Sequence, residues 1–296
     1  KPPVKHLLNP PLPTSNTEPR HWSRLYGSSL ALAANEAAET HNEGPVVLVV
    51  DDLAHAHQLN AEITFYSSGQ HDILHLPDWE TLPYDVFSPH QDIISERLKT
   101  LYDLPSSKPG NVIIMPVSTL LQRVTPRLYI HQHVLMLKVG QKLDIDNFRL
   151  KLEASGYTAV STVMEHGEFA VRGSIFDLYP AGSNLPYRID LFDDEIESIR
   201  SFNPSDQRTL DKTDSIELLP AREFPTDKEA IKQFRERYRE QIEGDPLSSI
   251  IYKSVSDGLM PAGIEYYLPL FFDNLETVFD YLPKESLLIL PQHLDD

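Results

Sequence analysis

Residues 165–200, EHGEFAVRGSIFDLYPAGSNLPYRIDLFDDEIESIR, are the most informative stretch of this 296-residue chain. They predict two strand pairs, because apolar and polar residues alternate with the period of two that a β-strand imposes. In the segment YRIDLF, the apolar set consists of Tyr187, Ile189 and Leu191. This alternation predicts a sheet with one apolar face packed on a core.

The same alternation assigns Arg188, Asp190 and Phe192 to the opposite, outer face of that strand. An aromatic side chain between a basic and an acidic residue suits a protein-docking surface better than a solvated one. Two interpretations stay open from the pattern alone. Either Phe192 anchors a partner, or another layer of the same chain covers it and the arginines beside it are ordinary solvated residues.

The preceding stretch, FAVRGSI, predicts that Arg172 lies on the same outer surface. In it, Phe169, Val171 and Ile175 form the apolar set that alternates with the more polar positions. We therefore expect these three side chains on the core side of the sheet.

The composition is that of a globular chain, with 41% hydrophobic and 24% charged residues. No apolar run approaches the ~18–20 residues of a membrane span. The absence of cysteine excludes disulfides and thiolate metal sites, which fits a cytoplasmic protein. The pairs His55/His57 and His131/His133 lack a third ligand at suitable spacing, so we predict no metal site. We also predict no cofactor and no catalytic residue, because the nucleotide-binding motifs discussed below are incomplete.

The net charge of −18, with 44 acidic and 26 basic residues, argues against nucleic-acid binding. Such binding requires clustered lysine and arginine side chains that displace phosphate counterions. The segment KQFRERYRE, residues 232–240, is the most basic window, and its glutamates are typical of a salt-bridged helix face.

The chain divides into four predicted regions. PVVLVV (45–50) and NVIIMPVSTLLQRV (111–124) are typical of buried parallel strands followed by helices. The terminal SLLILPQHL predicts another buried strand that rejoins this first sheet, so that the middle domain is an insertion. In FPTDKEAIKQFRERYREQI, Thr226 is the predicted N-cap, with Glu229 three residues on. The predicted regions are a flexible leader (1–21), an α/β domain (22–129), a small α+β domain on antiparallel sheet (130–219) and a truncated third segment (220–296).

These motifs resemble a known family. GEFAVRGSIFDLYPA with PYRIDLFDDEIESI is similar to the second domain of the excision-repair protein UvrB, and residues 263–290 resemble the stretch that leads into its Walker B strand. The phrase DWETLPYDVFSPHQDIISERL (78–98) resembles the UvrB-like module of bacterial transcription-repair coupling factors. The resemblance implies an α/β fold: a degenerate RecA/helicase-like parallel-sheet domain, split in sequence, with a small antiparallel-sheet domain inserted.

The resemblance also shows where nucleotide-binding residues are missing. A motor of this family holds phosphates in a G-x-x-x-x-G-K-[ST] loop, but here the loop contains only Gly27, Ser28 and Ser29, with no second glycine or lysine. Pro291 and Gln292 stand where Walker B has its acidic pair, which holds Mg²⁺. We therefore expect a degenerate nucleotide site and no enzymatic activity in this chain.

In the UvrB family the outer face of the second domain binds the damage sensor UvrA. By position, this resemblance implies that the UvrA-binding residues are Arg172, Gly173, Arg188, Asp190 and Phe192.

Two neighbours depart from the pattern, because Ala170 and His166 replace arginines.

The region of UvrB's DNA-opening hairpin is reduced to about a dozen residues. Its Trp79, Tyr84 and Phe87 could stack on bases, but the interleaved acidic residues favour a satellite core.

The resulting hypothesis is a non-catalytic module that mimics UvrB and recruits UvrA to stalled RNA polymerase. The resemblance implies that RNA polymerase and DNA bind C-terminal domains of the full-length protein, and that such a domain can mask the UvrA-binding face. The alternatives are a divergent nucleotide hydrolase and a weak DNA-binding module.

Overall fold

The computed structural model describes residues 7–14, 18–83 and 85–291. The chain folds into two compact units. The parallel-sheet unit contains the described residues of 1–78, 103–122 and 277–296, and the mixed-sheet unit contains those of 79–102 and 123–276.

The secondary structure of the described residues is mixed. The helices are α1 (Ser29–Thr40), α2 (Leu53–Ser67), α3 (Gln91–Asp103), α4 (Val117–Leu121), α5 (Arg127–Gln132), α6 (Ile145–Ala154), α7 (Lys228–Gln241), α8 (Ile250–Ser256) and α9 (Val278–Tyr281). Short 3₁₀ helices span Leu104–Ser106, Pro246–Ser248 and Ile264–Leu270. The strands are β1 (Val46–Val50), β2 (Ile73–His75), β3 (Val112–Pro116), β4 (Arg123–Val124), β5 (Leu135–Lys138), β6 (Thr158–Ala159), β7 (Glu168–Arg172), β8 (Ile175–Leu178), β9 (Tyr187–Phe192), β10 (Glu195–Phe202), β11 (Thr209–Thr213), β12 (Ser215–Leu218), β13 (Glu276–Thr277) and β14 (Leu287–Ile289).

The parallel-sheet unit is built on four strands in the order β14-β1-β3-β2. β14 pairs with β1 in parallel, with Val46 opposite Leu287, and β3 pairs with the other side of β1. Every residue of β1 and β3 is buried, as their unbroken apolar sequences predict. The prediction that the terminal apolar segment rejoins the first sheet is confirmed. The predicted α/β class, with separate parallel and antiparallel sheets, is confirmed as well.

Helices α1 and α2 pack on this sheet and close its core. Their contributions are small or aliphatic side chains, among them Ala34, Ala37, Leu59 and Ile63, which meet alternate residues of β1. The side chain of Asp52 caps the N-terminus of α2 by accepting from the backbone N–H of His55 at 2.8 Å. The core of this unit is therefore aliphatic and closely packed.

Part of the segment predicted to be a flexible leader lies against α1. The backbone N–H groups of Leu7, Leu8 and Asn9 donate to the carboxylate of Glu36, which is buried on α1. Trp22 also donates from its indole N–H to the carbonyl oxygen of Pro11 at 3.0 Å. These bonds hold residues 7–11 on the parallel-sheet unit.

The mixed-sheet unit contains a six-stranded sheet in the order β11-β10-β9-β8-β7-β6. The pairs from β7 to β11 are antiparallel, whereas the short edge strand β6 runs parallel to β7. One face of this sheet is apolar and is covered by α6, whose Phe148 and Leu152 are buried in the same cluster as Phe176 and Ile189. The opposite, outer face bears the polar groups described in the next subsection.

The helical part of this unit is held by aromatic stacking and a buried ion pair. The Phe271 ring lies 4.5 Å from the Phe224 ring and 5.0 Å from the Phe234 ring, measured between centroids. Arg97 on α3 donates from Nε to a Glu223 carboxylate oxygen at 2.5 Å, and both side chains are almost fully buried. A buried ion pair is costly to break because the remaining charge is left without a partner.

The N-terminus of α7 differs by one residue from the prediction. Asp227 is the N-cap, since its side chain accepts from the backbone N–H of Ala230 at 2.9 Å. The predicted cap, Thr226, instead donates its hydroxyl to the carbonyl oxygen of Glu153 at 3.1 Å. Asp competes well with Thr for the cap position, and the Thr226 hydroxyl has an acceptor on α6.

Gly44 offers a test of the β1–β14 pairing. A Cβ atom at this position would lie 2.3 Å from the carbonyl oxygen of Glu285, just before β14. We expect Gly44→Ala to lower the free energy of unfolding by about 2 kcal/mol, because backbone must move to accept the methyl group. Urea denaturation measures the change. Glu43→Ala, at an exposed neighbouring position, is the control, and an equal loss in both variants would contradict the close approach.

Candidate protein-docking site

The outer face of the six-stranded sheet is defined by residues that lie opposite one another on neighbouring strands. One cross-strand row begins at Ala170 on β7 and continues through Asp177, Arg188, Arg200 and Lys212 on β8 to β11. Residues directly opposite each other project to the same face. The sheet therefore groups three basic side chains and one acidic side chain in a single row.

A second row lies two residues further along the strands. It contains Arg172, Ile175, Asp190 and Ser198, each opposite the next. Arg172 therefore shares the outer face with Asp190, as the alternation predicts. Phe192, at the end of β9, projects to the same face as Arg188 and Asp190. The outer face therefore brings together four of the predicted docking side chains: Arg172, Arg188, Asp190 and Phe192.

The position of Ile175 corrects the prediction that grouped it with Phe169 on the core side. Gly173, with a φ of 62°, and Ser174 form the turn between β7 and β8, so the alternation restarts after the turn. Phe176 rather than Ile175 then faces the core. A side chain built on Gly173 would meet no atom within 4 Å, so the rim of the outer face is open at this turn.

The alternation predicted for β9 is confirmed by burial. Ile189 and Leu191 are buried in the core and Tyr187 packs against it. Phe192, on the outer face, is 70% exposed. In the part of the chain that the structure describes, no layer covers this ring. The interpretation in which Phe192 is covered by its own chain is therefore wrong for the described residues.

A buried carboxylate orders the arginines of this face. The side chain of Asp177 is 1% exposed and accepts from Arg188 Nε at 2.7 Å and Nη2 at 2.9 Å. Arg172 donates its Nη2 to the same carboxylate. The bidentate hydrogen bond with Asp177 raises the pKa of Arg188 above its ordinary value. One carboxylate thus fixes two guanidinium groups on neighbouring strands.

Arg188 has further partners. Its Nη1 donates to the carbonyl oxygen of Gln207 at 3.2 Å, and its guanidinium lies 4.8 Å from the centre of the Phe202 ring. The Arg188 side chain is 17% exposed. Asp177 and these contacts hold it in one orientation and cover most of it.

Asp190 is the acidic member of the predicted docking set. It accepts from the hydroxyl of Ser198 at 2.8 Å, and the nearest guanidinium nitrogen, Nη2 of Arg200, lies 3.9 Å away. This distance is too long for a hydrogen bond. Asp190 is therefore oriented by Ser198 and remains partly accessible.

The two departures from the UvrB pattern have structural roles. Ala170 is buried on the outer face in a small cluster with Val163, Tyr179 and Phe202. The His166 ring stacks on Tyr179, with ring centroids 3.9 Å apart. Its Nδ1 lies 2.7 Å from a carboxylate oxygen of Asp92, and its Nε2 lies 2.7 Å from the carbonyl oxygen of Ser183. Positions 166 and 170 therefore add no exposed cation to the outer face.

The residues of the predicted nucleotide loop bond to their own surroundings. Gly27 has a φ of 56° and precedes α1. The hydroxyl of Ser28 lies 2.8 Å from that of Tyr66, and the hydroxyl of Ser29 donates to the carbonyl oxygen of Tyr26 at 2.7 Å. Both serine side chains are thus engaged by neighbouring groups.

The second half of that predicted site lies after β14. Pro291 is two residues beyond the strand, and Gln292 lies outside the described residues. No strand precedes α1 within residues 7–14 and 18–28, although a phosphate-binding loop normally follows one. The sequence also contains no lysine between Lys5 and Lys99.

Trp79 and Phe87 differ in burial. Trp79 is buried, and the guanidinium of Arg97 lies 5.3 Å from its ring centre, so its assignment to a satellite core is confirmed. Phe87 is 68% exposed, and the same assignment is wrong for it. The Tyr266 ring also lies 5.2 Å from the Trp79 ring, measured between centroids, and helps to cover the indole. Tyr84 lies outside the described residues.

The histidine pairs His55/His57 and His131/His133 include side chains that contact neighbouring oxygen atoms of the chain. His55 Nδ1 lies 3.8 Å from a carboxylate oxygen of Asp51, and His133 Nδ1 lies 2.8 Å from the carbonyl oxygen of Tyr129. Within the described ranges, no three histidine, aspartate or glutamate side chains are placed to hold a metal ion. No helix in those ranges combines the length and the apolar character that crossing a bilayer requires.

Asp177 and Arg200 are among the residues of the outer face that sequence analysis missed. A signal for Asp177 exists, since it is the acidic residue within the apolar strand IFDL. Arg200 is concealed by a β-bulge between Ile196 and Ser198, which shifts the alternation by one residue. Simple alternation from Ile196 would place Arg200 on the core face.

Comparisons with known proteins give a family match and several relatives. Residues 135–224 match the model of the UvrB interaction domain family. The chain is 50% identical over 279 residues to a transcription-repair-coupling factor of Escherichia coli and 47% identical over 286 residues to that of Haemophilus influenzae. A third relative, from Myxococcus xanthus, is 32% identical over 285 residues. The alignments cover 94%, 96% and 92% of this chain, which spans 24% of the length of each relative.

The resemblance drawn from the sequence motifs is thereby confirmed. Residues 135–224 match the UvrB interaction domain family, and the chain is similar, over nearly its whole length, to about a quarter of the transcription-repair-coupling factors it matches.

Asp177→Asn tests the order of the outer face. The amide cannot neutralise two guanidinium groups, so we expect the free energy of unfolding to fall by about 2 kcal/mol. This is less than the loss of a fully buried pair, because the Arg172 side chain is 47% exposed. Asp190→Asn is the matched control on the same face, with an expected change within about 0.5 kcal/mol. Denaturation curves of equal midpoint for Asp177→Asn and the unaltered protein would contradict the assignment.

Proposed function

We propose that this chain is the UvrA-docking module of a transcription-repair-coupling factor, and that it links a stalled RNA polymerase to nucleotide excision repair by mimicking the docking face of UvrB. The observation that carries the proposal is the exposed ring of Phe192 on the same sheet face as two arginines held by Asp177. The family match over residues 135–224, which includes this face, supports it.

The chemistry of the face suits a protein partner. Arginine and aromatic side chains are enriched among the residues that dominate binding energy, and they act best when neighbouring contacts exclude water from them. Phe192 offers an apolar ring at the end of β9, and Arg172 keeps a half-exposed guanidinium nearby on β7. On a chain of net charge −18, this basic and aromatic surface is a local exception. A partner surface that carries acidic groups and an apolar pocket would complement this face.

The proposed module does not hydrolyse nucleotide. The absence of the loop lysine, the self-bonded Ser28 and Ser29, and Pro291 in place of a magnesium-binding acid support this part of the proposal. Motor activity, RNA polymerase binding and DNA binding then belong to other parts of the longer protein. In that protein, which we expect to be cytoplasmic, another domain can cover the docking face until repair begins.

Calorimetric titration with Mg–ATP tests the non-catalytic assignment. We expect heats equal to those of dilution, because no side chain of the loop after Gly27 can take the place of the P-loop lysine. A dissociation constant in the micromolar range, about −8 kcal/mol in binding free energy, would instead support a divergent nucleotide hydrolase.

Phe192→Ala tests the docking assignment. We expect the affinity for purified UvrA, measured by titration calorimetry, to fall about thirtyfold, which corresponds to ~2 kcal/mol for a central aromatic anchor. Leu150→Ala is the matched control, since Leu150 is 66% exposed on α6, the helix that covers the opposite face of the sheet. Equal affinity of Phe192→Ala and Leu150→Ala for UvrA would remove the outer face from the interface.

A further inference from the structure

The guanidinium groups of the outer face differ in how many of their donors remain available. Arg188 uses three of its five N–H groups within the chain, two toward Asp177 and one toward the carbonyl oxygen of Gln207. One face of its guanidinium lies over the Phe202 ring. With a side chain that is 17% exposed, Arg188 has little left to offer a partner.

Arg172 and Arg200 are less engaged. Among the described residues, the Arg172 guanidinium makes one hydrogen bond, from Nη2 to Asp177, and the side chain is 47% exposed. The side chain of Arg200 is 38% exposed, and its closest carboxylate oxygen, on Asp190, is 3.9 Å away. Within the described residues, the Nε of Arg200 is shielded from solvent and has no hydrogen-bond partner. An incompletely bonded guanidinium at the surface favours a carboxylate from outside the chain.

The register of the sheet makes the position of Arg200 costly in the free protein. Arg200 lies directly between Arg188 on β9 and Lys212 on β11. Like charges opposite each other on neighbouring strands are destabilising. Asp177 compensates Arg188 by direct hydrogen bonds, whereas Arg200 has only a long ion pair with Asp190, whose nearest oxygen lies 3.9 Å away, beyond hydrogen-bond distance.

A β-bulge places Arg200 in this row. Ile196 and Ile199 both face the core although they are three residues apart, because the register shifts between Ile196 and Ser198. Bulges commonly redirect a side chain at functional surfaces. Without the shift, Arg200 would project to the core side, where a guanidinium cannot be solvated.

We infer that Arg200 is a direct contact of the docking surface and that, with Arg172, it receives carboxylate groups of UvrA, whereas Arg188 is a positioning residue. This inference rests on the proposed function and extends it to a residue outside the recognised motif. The surface then runs from Phe192 across β9 to β10. Its cationic part is supplied by the two arginines that keep free donors.

The test is the affinity for purified UvrA of Arg200→Ala, compared with Arg149→Ala as the matched control. Arg149 is exposed on α6, away from the outer face. We expect Arg200→Ala to weaken UvrA binding about tenfold or more and to reduce the dependence of affinity on salt. Its melting temperature should stay equal or rise, because the substitution relieves a like-charge row. Arg200→Gln, which keeps the length of the side chain without its charge, should bind as weakly as Arg200→Ala.

A positioning role for Arg188 has a separate signature. Arg188→Lys keeps the charge but loses the bidentate geometry, so we expect weaker UvrA binding together with a lower melting temperature. Loss of UvrA affinity in Arg188→Lys with an unchanged melting temperature would assign Arg188 as a direct contact and overturn this part of the inference.

Failure of the inference can be told apart from failure of the proposed function. If Phe192→Ala weakens UvrA binding while Arg200→Ala binds as tightly as Arg149→Ala, the inference is wrong and the docking function stands. If the unaltered protein does not bind UvrA, both are wrong.

Discussion

The order of the outer face of the six-stranded sheet depends on the burial of one carboxylate, that of Asp177. A carboxylate removed from water is destabilising unless it is paired and hydrogen-bonded, and here Arg188 pairs with it in bidentate geometry while Arg172 adds a further bond. Because the three residues lie on β7, β8 and β9, the same interaction ties these strands together on their outer side. The arginines are therefore oriented in the free protein, which lowers the entropy lost when a partner binds.

The strand alternation that sequence reasoning used worked where a strand was regular. In β9, the burial of Ile189 and Leu191 and the exposure of Phe192 follow directly from a period of two. The buried strands β1 and β3 were equally predictable, since unbroken aliphatic runs are typical of a parallel sheet covered on both faces. The prediction of a buried strand is only partly correct for β14, which lies at the sheet edge and buries Leu287 alone.

The same reasoning was wrong where the backbone departs from a regular strand. The turn at Gly173 moved Ile175 to the outer face, and the bulge after Ile196 moved Arg200 there. Each shifts the alternation by one residue, and neither has a signal strong enough in a single sequence to be read in advance. The N-cap at Asp227 was missed for another reason: Thr226 bonds to α6, a tertiary contact that local propensity does not contain.

The two sheets differ in how strongly their stability constrains the residues at their surfaces. In the parallel-sheet unit, the core consists of aliphatic side chains of α1, α2, β1 and β3, and Gly27 and Pro291 are not among them. The residues in the loops at the ends of these strands can therefore be substituted with little loss of stability. On the outer face of the mixed sheet, by contrast, Asp177 is both a stabilising group and the group that orders the arginines. Substitution there changes stability and surface together, so the outer face is under a constraint that the loop at Gly27 is not.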